Sequence, residues 1–306
     1  MNPVKHLAIG ITVMPWEVDA YRALALRLKQ GIRKLPGGIE TQVGVCLVLS
    51  DDIIDWQRSP IGPEVFTDSF NQSNVCLADV CELDASIDRH GRIRGCVDQR
   101  RAFILACPPD SHTLWLDPDM IFDPVILEHL VSCVGAQPLA EYHVITPRIP
   151  RMWDESWDVL VHPDFKTRPL GSCYGFQSGD LEALYAETRL PPRLTQLDQF
   201  KFAGGWLTLF SSNLLKLVDI PASFHSYGRE DTFIMKVCTE LSARGLDIRQ
   251  YVLENSLVAQ DFSLQQANAY LPRLPLIHDK QAGVQHNKRM TPIEIERCVQ
   301  RVTDGD

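Results

Sequence analysis

The 306-residue chain lacks the features that would place it in a specialised class at once. No uncharged apolar run reaches the roughly 18–20 residues needed to cross a bilayer. The apolar stretch from Leu7 to Met14 follows a single lysine, has no small-residue cleavage site and is ended by Pro15-Trp16-Glu17. It reads as a buried first strand rather than a signal peptide, so the cytoplasm is the expected compartment. There is no basic excess either: 30 Lys and Arg stand against 39 Asp and Glu, a net charge of -9. Proteins that bind polyanions by neutralising phosphates carry the opposite balance, so general nucleic-acid binding is not expected. The nine cysteines form no CxxC pair and lie mostly in apolar strings such as Val45-Cys46-Leu47, the pattern of reduced core thiols rather than disulfides or zinc. Internal repeats and low-complexity tracts are absent too.

What is present is enough apolar material, 45% of residues, for a large core in one α/β domain or two smaller ones. Residues 5–14 predict a strand. A helix over roughly 17–35 follows, with Val18, Tyr21, Leu24, Ala25, Leu28 and Ile32 at spacings of three and four. Pro36-Gly37-Gly38 stops it, and the apolar run from Val43 to Leu49 ends at Ser50-Asp51-Asp52. Strand, helix and near-continuous apolar strand make a βαβ unit, which binds ligands beyond the carboxyl ends of its strands. Further along, 75–83 is a third strand candidate, 95–107 a helix, 112–116 a strand, 124–134 a helix and 142–146 a strand. A strand at 207–210, a helix from Glu230 to about Ala243 and a strand at 248–252 complete the core. The tail, 263–306, reads as a basic-polar loop, with Leu274–Ile277 a short strand, then a helix over 292–302.

Two acidic motifs carry the chemistry. Leu114-Trp115-Leu116 delivers Asp117-Pro118-Asp119, two carboxylates one residue apart at a strand's carboxyl end. In extended chain, residues i and i+2 point the same way. Oxygen ligands so placed suit a hard divalent cation shared with phosphate oxygens. A plain Asp-Pro-Asp turn with a helix cap would also account for the triplet. Later, Tyr227-Gly228-Arg229-Glu230-Asp231 opens a helix. Acids in a first helical turn are favoured by the macrodipole alone, yet either could serve as general base on a hydroxyl.

In order, the βαβ start, the acids after the second strand, GCVDQRR, LWLDPDM, FAGGWLTLF and YGREDTF resemble nucleotide-sugar-dependent glycosyltransferases of the GT-A fold. The nearest pattern is the large inverting family that includes polysaccharide synthases. The resemblance covers about residues 5–261, its specific motifs about a tenth of that span. It implies an α/β, GT-A-like (Rossmann-type), mostly parallel sheet flanked by helices. A nucleotide half would span about 1–135 and an acceptor half about 136–262, with a loop-and-helix extension over 263–306.

It further implies that Asp117 and Asp119 flank the diphosphate and hold Mn²⁺ or Mg²⁺, Asp119 the more directly. Asp51 or Asp52 would bond the base or ribose, and Thr12, Met14 and Trp16 would line the base pocket. Arg94, Arg100 or Arg101 would contact phosphate, although a solvated helix face explains any one of them. Gly204, Gly205 and Trp206 would form a wall beside the donor sugar, with Asp231 the first choice of base and Glu230 the second. Such families often add a late histidine to the metal or diphosphate. Here that is His278, placed by the short strand, or His286, with Lys280, Lys288 and Arg289 offsetting leaving-group charge; an ordinary basic loop accounts for these residues equally. The partners implied are a nucleoside-diphosphate sugar and a hydroxyl acceptor: a glycan, a lipid-linked sugar, a protein or a modified nucleobase.

Two departures stand out. Pro118 occupies the middle of the Asp-x-Asp motif, and the insert from Thr146 to Phe202 leaves the acceptor pocket unassigned. Two rival readings differ in kind. A sugar nucleotidyltransferase would need a Gly-rich loop after the first strand, where Thr12-Val13-Met14-Pro15-Trp16 stands instead. A non-catalytic nucleotide- or carbohydrate-binding protein would use both acidic motifs only as caps.

Overall fold

The computed structural model describes residues 4–13, 17–47, 75–82, 95–150, 158–165, 175–176, 185–186, 188–201, 204–261 and 276–305. Chain order is β1 (His6–Val13), α1 (Val18–Lys34), β2 (Glu40–Leu47), β3 (Val75–Glu82), α2 (Cys96–Ala106), β4 (His112–Leu116), β5 (Met120–Phe122) and α3 (Ile126–Ala136). There follow β6 (Tyr142–Arg148), β7 (Gly175–Phe176), β8 (Leu194–Gln196), β9 (Trp206–Phe210), α4 (Leu214–Leu217), α5 (Glu230–Ala243), β10 (Ile248–Asp261) and α6 (Leu276–Asp304).

Side-chain alternation along the strands builds a core on each face of the sheet. Leu7, Ile9 and Ile11 of β1 and Leu114 and Leu116 of β4 pack with Tyr21, Leu24 and Leu28 of α1 and Leu127 and Leu130 of α3. The intervening Ala8 and Trp115 face the other way, onto Val97, Phe103 and Ile104 of α2 and Phe233, Val237 and Leu241 of α5. Three layers result, helices on either side of one sheet, which is the α/β class expected from the βαβ start.

The sheet order is β3-β2-β1-β4-β9-β6-β10-β5. From β3 to β4 every pair is parallel, the wound order that opens a crevice where the path reverses, between β1 and β4. Beyond β4 the sheet is mixed, because β9 lies antiparallel to both β4 and β6. Strand β10 is much longer than the five residues expected. It pairs with β6 over Ile248–Leu253, shifts register between Leu253 and Leu257, and continues against β5 and β7. The polar Glu254-Asn255-Ser256 that hides this continuation falls at the irregularity, where Glu254 meets Arg148 and Asn255 donates to the Pro191 carbonyl.

The tail corrects the sequence reading. Residues 276–304 form one helix with Pro292 inside it, so His286, Lys288 and Arg289 lie on a helix and not in a loop, and no strand forms at Leu276–Ile277. Proline lacks an N–H and reads as a helix start. Here Thr291 Oγ1 bonds the Asn287 carbonyl at 2.6 Å, one position before the carbonyl that Pro292 leaves without a donor. The helix joins the core through Cys298 and Val299.

Arg101 is also corrected. Its Nε donates to the Ile220 carbonyl at 3.2 Å and its Nη2 to those of Pro221, at 2.6 Å, and Phe224. Its donors therefore fasten the 220–224 loop to α2 instead of meeting a phosphate. Arg101→Met strands those carbonyls and is expected to cost about 1–3 kcal/mol. A urea-unfolding midpoint lowered at unchanged slope checks it.

Candidate active site

A cleft of about 340 Å³ opens at the carboxyl ends of β1 and β4. Thr12, Asp117, Pro118, Asp119, Gly204, Gly205, Trp206, Glu230 and Asp231 all line it. The fold thus gathers the two acidic motifs, more than a hundred residues apart, and the Gly-Gly-Trp segment between them in sequence. Glu17, Cys96, Arg100, Tyr227, Gly228 and Gln260 line it as well, and of these only Arg100 had been given a site role from the sequence.

Arg100 is the hub. Its Nη2 donates to Asp117 Oδ1 at 2.8 Å and its Nη1 to Glu230 Oε1, while the guanidinium sits 4.7 Å over the Trp115 ring. Burial opposes its charge, yet Cys96, Asp117, Glu230 and Asp231 around it push its pKa up, so it stays cationic. A guanidinium has the planar fork needed to bind two carboxylates at once and an aromatic face together. Cys96 adds a thiol donor to Glu230 Oε1 at 3.3 Å, while Glu230 Oε2 is buried with no hydrogen-bond partner among the described residues.

Backbone closes on this pair from above. Gly205 leaves no room for a side chain: a Cβ there would lie 1.9 Å from Asp117 Oδ1 and 2.4 Å from Arg100 Nη2. The approach is produced by a bulge in β9, where the register against β4 shifts at Leu207, a buried residue with φ of 77°. Such a non-glycine conformation costs about 1–3 kcal/mol and persists only when its surroundings fix it. Thr208 Oγ1 bonds the Gly204 carbonyl at 2.6 Å and Asp117 N bonds the Gly205 carbonyl at 2.5 Å, which fixes it.

Asp117 and Asp119 share the cleft but not one strand face, because residues 117–119 form a turn between β4 and β5 rather than extended chain. Asp117 turns to Arg100, whereas Asp119 Oδ2 accepts from Gln260 Nε2 at the far end of β10. Burial raises the Asp117 pKa, with Arg100 opposing and Glu230 reinforcing. Asp231 is pushed up to about 7, by burial first and then by the Glu230 charge, with Arg100 and the Thr232 amide and hydroxyl opposing. A folded-state pKa above the unfolded one stabilises the native state below about pH 4, a contribution lost as pH rises through about 7. Asp231 is therefore a carboxylate that titrates near neutrality inside a cleft, the condition of a general base.

Met14, Trp16, Asp51, Asp52 and Arg94 fall outside the described residues, as do the side chains of His278 and Lys280. Lys288 is exposed on α6 and away from the cleft. His286 corrects the sequence expectation of a metal ligand: its Nε2 lies 3.0 Å from the Ser223 carbonyl and its ring 4.5 Å from that of His225, so it packs the loop behind the cleft. Among the described residues no three His, Cys, Asp or Glu side chains gather to hold a metal by themselves.

No protein-family model and no curated protein sequence matches the chain. Among solved structures it is similar to GalNAc-T7 with UDP, GalNAc and Mn²⁺, at 10% identity and a TM-score of 0.47 over 84% of this chain and 43% of that one. It is similar also to S. aureus TarS 1–349 in complex with UDP, at 13% identity and TM-score 0.46 over 94% and 72% of the two chains. Mouse xyloside xylosyltransferase 1 in its apo form aligns at 12% identity and TM-score 0.35 over 77% and 82%. The chain thus spans under half the length of GalNAc-T7. Likenesses this distant say nothing of chemistry, which has to come from the cleft itself.

Replacing Arg100 by Met leaves Asp117 and Glu230 uncompensated and is expected to cost about 3–5 kcal/mol. It also removes the charge that holds Asp231 down. The Asp231 carboxyl, followed by ¹³C NMR against pH, is expected to titrate above its starting position near 7.

Proposed function

We propose that the chain is a metal-dependent glycosyltransferase of GT-A type, moving a sugar from a nucleoside diphosphate to an acceptor hydroxyl with inversion. The observation that carries this is the charge of the cleft: among the described residues five carboxylates, Glu17, Asp117, Asp119, Glu230 and Asp231, line it against the guanidinium of Arg100. Each uncompensated carboxylate about 4 Å from a phosphate oxygen would cost on the order of 4 kcal/mol at an effective dielectric of 20. A cleft so charged favours a diphosphate that enters together with a cation.

The residues present fit such a cation. Asp119 beside Gln260, and the bare Glu230 Oε2, are hard oxygen donors. Among the described residues too few protein ligands converge to enclose an ion, as suits Mg²⁺ or Mn²⁺ completed by phosphate and water. When bound, the cation would supply charge neutralisation to the departing diphosphate. Arg100 locks Glu230 in an ion pair, which leaves Asp231 as the base. Asp231 would take the acceptor hydroxyl proton as its oxygen bonds the anomeric carbon and the bond to the diphosphate breaks on the opposite face. Gly204, Gly205 and Trp206 would present backbone and indole beside the sugar, and Thr12 would lie toward the nucleotide. The donor sugar, base and acceptor are left open.

A panel of sugar nucleotides with Mn²⁺ tests the reading. Turnover of one donor class is expected, with the product anomer inverted by NMR. Its kcat should rise with pH and level off above about 7 as Asp231 ionises. Asp231→Asn should lower kcat by about 10²–10⁴ while the nucleoside diphosphate still binds. The proposal fails if UDP, GDP, TDP and ADP, each with Mn²⁺, all leave the melting temperature unmoved.

A further inference from the structure

We infer that Asn287 of α6 is the positioning residue that sets the 225–229 turn and, through it, the aim of Glu230 and Asp231; the catalytic part of this rests on Asp231 as the base. Asn287 is fully buried, and among the described residues its side-chain amide makes its polar contacts to that turn. Nδ2 donates to the carbonyls of His225 at 2.9 Å, Gly228 at 3.0 Å and Tyr227 at 3.2 Å, and Oδ1 accepts from His225 N at 3.2 Å. Two hydrogens serving three acceptors means that one is shared, and only a primary amide supplies this donor set together with an acceptor.

The turn needs an outside hold. Ser226, Gly228 and Arg229 have φ of 60°, 74° and 79°, and two of these are not glycines. Arg229 immediately precedes α5, whose first two residues are Glu230 and Asp231. From the opposite side α2 grips the same turn: Asp98 Oδ2 accepts from Ser226 N at 2.8 Å, and Val97 N donates to the Ser226 carbonyl at 3.2 Å. One helical turn before Asn287, Gly283 brings the α6 backbone so close that a Cβ would lie 2.7 Å from Ser226 Cβ. The strained turn is therefore clamped between α2, which also carries Arg100, and α6. A carboxylate misplaced by about 1 Å can lose on the order of 10²-fold in rate, so this clamp is where the α6 helix enters the chemistry.

The full chain is examined as wild type, Asn287→Ala, Asn287→Asp, and Glu296→Gln, an exposed control on the same helix. Asn287→Asp keeps the shape and replaces the donors by oxygens facing three carbonyls, so it should be the worse of the two. Amide hydrogen exchange at 225–231 should rise about tenfold or more in both, with β1 and β4 unchanged. With whichever donor turns over, kcat should fall by about 10²-fold while the Kd for nucleoside diphosphate with Mn²⁺ moves less than about twofold. The wild type gives a reading without any variant: the Asn287 side-chain amide protons should exchange slowly in ¹H–¹⁵N spectra. Fast exchange of those protons, or unaltered protection at 225–231 in both variants, overturns the inference. If the wild type turns over no sugar nucleotide, the base assignment falls while the exchange data still decide on the clamp.

Discussion

Everything in the cleft depends on one buried cation meeting a buried anion and a half-buried one. Arg100 bridges Asp117, at the end of a strand, to Glu230, at the start of a helix, and stacks on Trp115 beneath. Charges removed from water are tolerated only when geometry and hydrogen bonds compensate them, and a guanidinium forked between two carboxylates over an indole meets that condition. The bridge joins the β4 turn to the α5 terminus, so the two acidic motifs have a fixed distance from each other. It also separates the two acids at the α5 start: Glu230 is tied to Arg100, while burial and the Glu230 charge push the Asp231 pKa up to about 7.

How the motifs come together was only partly legible in the sequence. The period of α1, the short apolar β4 and the acids opening α5 were all readable, because each is a local pattern. Arg100 was visible merely as one of three arginines near a helix. Its partners lie 17 and 130 residues away, and no local periodicity encodes such separations. Arg101, the neighbouring side chain, points instead at loop carbonyls, a difference set by the rotation of one helix position. Asn287 gave no signal at all. A lone amide in a polar stretch is indistinguishable from a surface residue until the loop it binds has been folded against it. Pro292 hid the helix that carries it, and Glu254-Asn255-Ser256 hid the second half of β10 that brings Gln260 to Asp119.

Irregular backbone recurs around the cleft. The bulge at Leu207 lowers Gly205 onto Asp117, the register shift in β10 carries Gln260 across to the β5 side, and the turn before α5 runs through left-handed conformations. None of the three would persist in an isolated segment. Each is held by specific bonds from neighbouring elements: Asp117 N to the Gly205 carbonyl in the first case, Arg148 to Glu254 in the second, and Asn287 and Asp98 in the third. Regular strands and helices supply the frame, and the departures from regularity supply the aim.

The acidity of the cleft reaches beyond recognition. Crowded carboxylates repel one another where nothing balances them, so a cation bound as proposed would stabilise the folded chain by mass action. Inside a cell, proteases remove proteins in proportion to how often they open. A chain whose resistance to opening rises with bound cation and nucleotide would persist where its substrates are plentiful and be cleared where they are scarce. Its abundance would then follow metabolic supply without any separate regulator.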